Sequence, residues 1–172
     1  FRIKNIEITS DPSAQIKVDL SNLVGKNLFS FKADKIETKL MNADQNYIKI
    51  KVFFGIPDTV RVVFEDRTPK IIWQINSEQF FVDQDAIAFK KADKELKIPI
   101  VVDNGNLNIN LPSQVASKNF IDFIVLADSE LSKIKFQIIN YEVGETTFQV
   151  EAISENNIKL LLNTLRPLSE QI

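Results

Sequence analysis

The stretch Ile48-Lys-Ile-Lys-Val-Phe-Phe-Gly-Ile-Pro57-Asp-Thr-Val60-Arg-Val-Val-Phe64-Glu-Asp66-Arg67-Thr-Pro69-Lys-Ile-Ile-Trp73 decides the fold of this chain. Ile48, Ile50 and Val52 point one way while Lys49 and Lys51 point the other, the two-residue period of a half-buried strand. Gly55-Ile56-Pro57-Asp58 breaks that run as a turn. Val60, Val62 and Phe64 then alternate with Arg61, Val63 and Glu65, and two such runs so close together predict an antiparallel hairpin. Pro69, with no N–H to give to a ladder, places a domain boundary or strand kink near residues 66–70. Ile71, Trp73 and Ile75 start a new alternation at once, so no flexible linker follows.

Upstream, residues 2–8 read as a short strand with Ile6 and Ile8 on one face. Asp11-Pro12 is a helix start: an Asp side chain caps free amides, and proline gives up only an N–H that lacks a partner there. Ile16, Leu20, Leu23 and Val24 form an apolar stripe that predicts a helix over 12–24, ended by Gly25. A second helix is expected from Ser30 to Asn42, with Ala33, Ile36, Leu40 and Met41 as its stripe. The first 67 or so residues thus read strand-helix-helix-strand-strand.

Downstream the pattern turns β-rich. Phe80-Phe81-Val82 and Ile87-Ala88-Phe89 flank Asp83-Gln84-Asp85 as a tight hairpin, and Lys90 to Lys97 reads as an exposed charged loop. Ile98–Val102 and Leu107–Leu111 are expected strands around the turn Asp103-Asn104-Gly105. Phe120, Phe123, Ile124 and Ala127 or Leu131 mark a helix from about 117 to 131. Strands are expected at Ile134–Ile138, Thr147–Ile153 and Ile158–Leu162, the last two paired around Glu155-Asn156-Asn157. Asn163 or Thr164 then caps a further helix with Pro167 near its start. The fold class is α+β: a small β-α-α-β-β domain over residues 1–68, then a β-rich domain over 69–172 with a mostly antiparallel sheet and one or two helices.

Composition excludes much chemistry. The 172 residues include no cysteine and no histidine, so no disulfide, thiolate nucleophile, iron–sulfur cluster, Cys-ligated zinc or Ser-His-Asp triad can be built. The net charge is -2, with bases and acids spread to both sides of Lys90, which argues against nucleic acid as a partner. No run approaches the roughly 18 apolar residues that span a bilayer. The chain opens on Phe1-Arg2-Ile3 without an initiator methionine, as an excised fragment does.

Candidate chemistry is sparse. Asp83 and Asp85 form the best carboxylate pair, but the calcium-loop register places Ile87 and Ala88 where an oxygen ligand and a glycine belong, so a solvated turn is the expectation. Asp103, Asp122, Asp128 and Glu130 are further acids that no local pattern brings together. Ser132-Lys133 and Ser117-Lys118 lack the spacing of a Ser-Lys dyad, and Gly25-Lys26 is no phosphate loop. No catalytic, metal or cofactor site is therefore assigned. Trp73 and most of the thirteen phenylalanines alternate with Ile and Val as core residues do. In the adjacent pairs Phe53-Phe54 and Phe80-Phe81, one ring of each must leave the main core face, for the domain junction or for a partner. Many short strands leave sheet edges, and binding through an exposed edge is the default reading.

Residues 48–73 resemble the FtsQ/DivIB family of bacterial cell-division proteins. Pro57 to Thr59 fills that family's hairpin turn, and Asp66-Arg67-Thr68-Pro69 fills its Glu-Arg-x-Pro place before an apolar run ending near Trp73. Phe1-Arg-Ile-Lys-Asn-Ile6-Glu-Ile8, Gly25-Lys26-Asn27-Leu28-Phe29 and Phe81 to Phe89 are similar to further family motifs, so the likeness runs from residue 1 to about 90. Asp66 stands for Glu, Ala86 for Gly, and Asp44 to Asn46 holds no proline.

The resemblance implies a POTRA domain at 1–68 and most of the family's β domain at 69–172, with the remainder of that domain beyond Ile172. It implies a membrane helix just before Phe1, an extracytoplasmic location, and a non-enzymatic scaffold role in septation as a monomeric soluble part. The implied partners are the bitopic coiled-coil proteins FtsL and FtsB (DivIC in Gram-positive cells), bound by strand addition. The strands nearest to such an edge offer Phe148, Val150, Ala152, Ile158 and Leu160, with Phe148, Val150 and Ala152 alternating toward the core. Pro57, Phe64, Asp66, Arg67, Pro69 and Trp73 are the structural and junction residues. A single-POTRA chaperone-like or transport-associated module is the alternative.

Overall fold

Val60 and Val62 are fully buried in the central strand of a three-stranded sheet, as their alternation requires, in a computed structural model that describes every residue except Asp11, Asn106 and Leu107. The chain divides into two units, Phe1–Arg67 and Thr68–Ile172. The first runs β1 (Asn5–Ile8), α1 (Ala14–Ser21), α2 (Ala33–Ala43), β2 (Tyr47–Gly55) and β3 (Thr59–Asp66). Its sheet order is β1-β3-β2, with β1 parallel to β3 and β2 antiparallel to it. One sheet face gives Ile50, Val52, Val60, Val62 and Phe64 to a core closed by Ile16 and Leu20 of α1 and Ile36 and Leu40 of α2. Phe64 packs on Tyr47 with ring centroids 4.9 Å apart.

Both helices start later than expected, and the first also ends earlier. The first stops at Ser21, since the following residues wind into turns and Gly25, at φ +82°, donates its N–H to the Ile3 carbonyl at 2.8 Å. Leu23 stays in the core without being helical, and the capping role expected of Asp11 lies outside the described residues. Ser30 lies outside the second helix. It belongs to a 3-10 turn, Leu28–Ser30, whose Phe29 N–H donates to Asn27 Oδ1 at 3.0 Å.

The second unit runs β4 (Ile71–Ile75), β5 (Glu78–Val82), β6 (Ile87–Lys91), β7 (Ile100–Asp103), β8 (Ser113–Gln114), α3 (Lys118–Lys133), β9 (Ile138–Val143), β10 (Gln149–Ser154) and β11 (Lys159–Asn163). One eight-stranded sheet results, in the order β11-β10-β9-β7-β4-β5-β6-β8. The pairs of β7 with β4 and with β9 are parallel and the other pairs antiparallel. Helix α3 starts at Ser117, whose Oγ accepts the Phe120 N–H at 3.2 Å, and lays Phe120, Ile124, Ala127 and Leu131 on one sheet face. Trp73 meets Phe120 there edge-on at 6.0 Å.

Both faces of the sheet's middle are buried. Phe80 joins the α3 core, while Phe81 turns the other way and packs with Ile72 and Phe89 beneath Ala92, Leu96 and Ile98. The expected charged loop thus covers an apolar cluster. In the first unit Phe54 packs on the core and Phe53 is 54% exposed.

Four further expectations are corrected. Asn104-Gly105 does make a turn, with Gly105 N–H donating to Asp103 Oδ1 at 2.7 Å, but no hairpin follows: Asn108 to Leu111 is not strand, and β7 finds parallel partners instead. Leu107 lies outside the described residues. The strand expected at Ile134–Ile138 begins only at Ile138, because Lys135 adopts φ +61° as the chain leaves α3. The final helix is a single 3-10 turn, Leu168–Glu170, with Leu168 buried. Asp83 is no solvated residue: it is 2% exposed, and its Oδ1 accepts the N–H groups of Asp85 and Ile87 at 2.9 and 3.0 Å.

Candidate protein-interaction site

Four strands end the two sheets, and they differ in how much backbone they offer. β8 is two residues long and β1 four. β2 is nine residues long but guarded. The Val52 N–H, which faces away from β3, donates to Glu37 Oε1 at 2.9 Å, and Glu37 Oε2 holds Lys51 Nζ at 3.0 Å. The Val52 N–H and the Lys51 ammonium lower the Glu37 pKa. A carboxylate on the edge amide and lysines along the strand are devices that discourage further pairing.

β11 is the outer strand at the other end, and no described strand pairs with its far side. Its inner side is set by the hairpin with β10, in which Val150 faces Leu162, Glu151 faces Leu161 and Ala152 faces Leu160. Thr164 N–H donates to the Phe148 carbonyl and Ser154 N–H to the Ile158 carbonyl, both at 3.0 Å. Since antiparallel partners bond at every second residue, Leu160 and Leu162 use their backbone groups toward β10, and Lys159, Leu161 and Asn163 turn theirs outward.

The side chains follow the same alternation. Leu162 is buried and Leu160 packs on the α3 core. Leu161, 60% exposed, stands with Lys159 on the opposite sheet face. There Glu142, Glu151, Gln149, Asn104 and Gly144 join them around a depression of about 370 Å³. Lys159 Nζ contacts Glu151 Oε2 at 2.9 Å, and the Glu151 hydrogen bond and charge raise the lysine's pKa, with Glu142 adding to the effect. With two carboxylates and one ammonium, the depression is net negative and borders an exposed leucine.

Against this geometry the sequence-chosen residues divide. Val150 and Ala152 are buried on an inner strand whose backbone is paired on both sides, so they hold the hairpin rather than offer an edge. Phe148, expected in the core with them, is 56% exposed and precedes β10. Ile158 is exposed beside the edge and Leu160 supports it from within. Lys159, Leu161 and Asn163 escaped sequence reading because Leu160-Leu161-Leu162 has no alternation to assign a face; only the β10 register does so.

Among the described residues, the acids singled out from the sequence do not converge on one another. Asp103 serves Trp73 and Gly105, Asp128 Oδ1 accepts the Tyr141 hydroxyl at 3.3 Å, Glu130 pairs with Lys133 and Asp85 with Lys118. Asp122 borders a shallow groove on the outer side of α3 with Val125, Leu126 and Lys70. Among the described residues no three potential metal ligands cluster, and no helix is long and apolar enough to cross a membrane. Of the structural residues, Trp73 and Phe64 are core, Pro57 follows a cis peptide in the β2–β3 turn, and Arg67 Nε donates to the Gln45 carbonyl at 3.1 Å. Asp66 ends β3 opposite Tyr47, and Pro69 is partly buried.

Fold and edge together define an α+β protein-interaction fold. The chain is 29% identical over 96 residues to the cell division protein FtsQ of Rickettsia bellii (strain RML369-C), across 53% of this chain and 35% of that protein. The match therefore spans about a third of that relative, and it is a distant likeness. No family model matches the chain.

Proposed function

We propose that this chain is an extracytoplasmic, non-enzymatic scaffold of the bacterial division machinery. In this reading residues 1–68 are a POTRA domain and 69–172 a partner-binding β domain, carried by a membrane helix upstream of Phe1. The partners are small bitopic division proteins of the FtsL and FtsB (DivIC) type, taken up by strand addition along β11. The observation that carries the reading is the edge of β11, where Lys159 and Leu161 present backbone groups outward beside an exposed leucine. The distant likeness to a cell division protein supplies the biological setting.

Backbone pairing would give such a complex its affinity, and side chains alternating between the two faces its selectivity. The test is capture of membrane-fraction partners by the full-length protein and by its Leu161→Pro variant. Proline removes an N–H that no described residue uses, and edge strands tolerate it. Loss of an FtsB-type partner with the fold retained is the expected result. Capture that is unchanged in Leu161→Pro would overturn edge docking.

A further inference from the structure

Asn163 turns its backbone outward from β11 just as Leu161 does, yet it is already paired. Its N–H donates to Gln171 Oε1 at 2.6 Å, and its carbonyl accepts from Gln171 Nε2 at 2.9 Å. A primary carboxamide sets an acceptor oxygen beside one of its two N–H donors, so at Asn163 it reproduces both hydrogen bonds that a neighbouring strand's peptide groups would make. The side chain is held in place. Nε2 also reaches the Arg166 and Pro167 carbonyls at 3.2 and 3.4 Å, Gln171 N–H donates to the Leu168 carbonyl at 2.9 Å, and Leu168 is sunk in the core.

We infer that Gln171 is a built-in surrogate strand: it closes the Asn163 end of the β11 edge, so an incoming strand pairs first at Leu161 and Lys159 and must displace Gln171 to run the length of β11. The inference rests on the edge-docking reading above and adds its register and its competitor. It also describes the partner. The residue placed opposite Leu161 shares that leucine's face, where Glu142 and Glu151 outnumber Lys159, while its neighbours lie beside Leu160 and Leu162. The fitting partner is an extended segment, basic on one face and apolar on the other.

The test uses the whole chain, with Gln171→Ala and Gln171→Glu; glutamate keeps an acceptor but sets an anion against three carbonyls. Amide hydrogen exchange read by NMR reports the plug directly. In the unsubstituted protein the Asn163 amide is expected to exchange about ten-fold more slowly than that of Leu161. Gln171→Ala brings it to the Leu161 rate, while Gln171→Glu, which still offers an oxygen to the Asn163 N–H, retains part of the protection. The docking probe is an acetylated, amidated six-residue peptide of alternating lysine and valine. It is expected to bind Gln171→Ala roughly five-fold more tightly, the scale of the hydrogen bonds no longer in competition. Its shift perturbations extend to Asn163 in the variant and stop at Leu161 in the unsubstituted protein. Unchanged exchange at Asn163 overturns the plug. Deprotection of Asn163 with equal peptide affinity in both proteins overturns its role as competitor. A peptide that binds neither protein, with Asn163 deprotected as expected, refutes the edge-docking reading and with it the competition.

Discussion

The Trp73 indole N–H donates to Asp103 Oδ2 at 3.2 Å, linking the middle of β4 to the last residue of β7 across their parallel pairing. Both residues are buried, and the other oxygen of Asp103 accepts the Gly105 N–H, so one carboxylate satisfies an orphan donor in the core and shapes the turn beyond it. Asp103→Ala strands the indole N–H and loosens that turn. A loss of about 1–3 kcal/mol in denaturant unfolding is expected. Asp103→Asn, which retains one oxygen acceptor, should lose less.

Gly105 stands where a side chain has no room. A Cβ there would lie 2.9 Å from the Gly144 carbonyl oxygen and 3.0 Å from Asp103 Oδ1. Gly105→Ala must push backbone aside, and an overpacking cost of about 1–3 kcal/mol is expected by the same unfolding measurement. Gly144→Ala, whose Cβ meets nothing within 4 Å, is the control and should change stability little.

Glu37 guards the β2 edge through Val52 N–H and Lys51, and its pKa is lowered by them. A lowered carboxyl pKa contributes stability that is fully present above the ordinary value of 4.5 and is lost as pH falls through the depressed one. Glu37→Ala should cost about 1 kcal/mol at pH 7. The difference from the unsubstituted protein should narrow in acid, as a pH series of denaturant melts will show. Lost protection of the Val52 amide in hydrogen exchange would accompany it.

Asp128 works the other way. Partial burial against the sheet raises its pKa, and the Tyr141 hydroxyl bond only partly offsets this. The raised value means that the folded state holds the proton more tightly than the unfolded chain. This contribution to stability is complete below the ordinary carboxylate pKa and is lost as pH rises through the folded one. Asp128→Asn keeps an oxygen for Tyr141 and carries no charge, so it should be at least as stable as the original at pH 7. The Asp128 share of the pH dependence should vanish between acid and neutral pH, measured by thermal melts.

Alternation located the strands, but not every residue on the expected face is buried. The register shifts between Tyr47 and Lys49 and leaves Ile48 exposed, and Phe148 is exposed ahead of β10. Lys49/Ile50/Lys51/Val52 and Arg61/Val62/Val63/Phe64 could bury one face only in one register, because a one-residue slip would turn every side chain over. The same holds for Ile16 and Leu20 of α1 and for the α3 stripe from Phe120 to Leu131, whose periodicity needs no distant partner to be read. The Glu155-Asn156-Asn157 turn, with Asn157 at φ +57°, was an equally local signal.

Tertiary structure decided what depended on a neighbour. That β7 would pair in parallel with β4 and β9 instead of folding back at Asn104-Gly105 follows from sheet order, which no local signal carries. Whether Phe81 would face solvent or a second cluster depended on Leu96 and Ile98 arriving over it. The candidate site was least legible of all. In Leu160-Leu161-Leu162 every residue is apolar, so only pairing with β10 distinguishes the leucine that faces outward from the two that do not, and only the fold-back of Leu168 brings Gln171 to Asn163. Periodicity along a chain encodes which face is buried, whereas an exposed edge is defined by which strand does not come next.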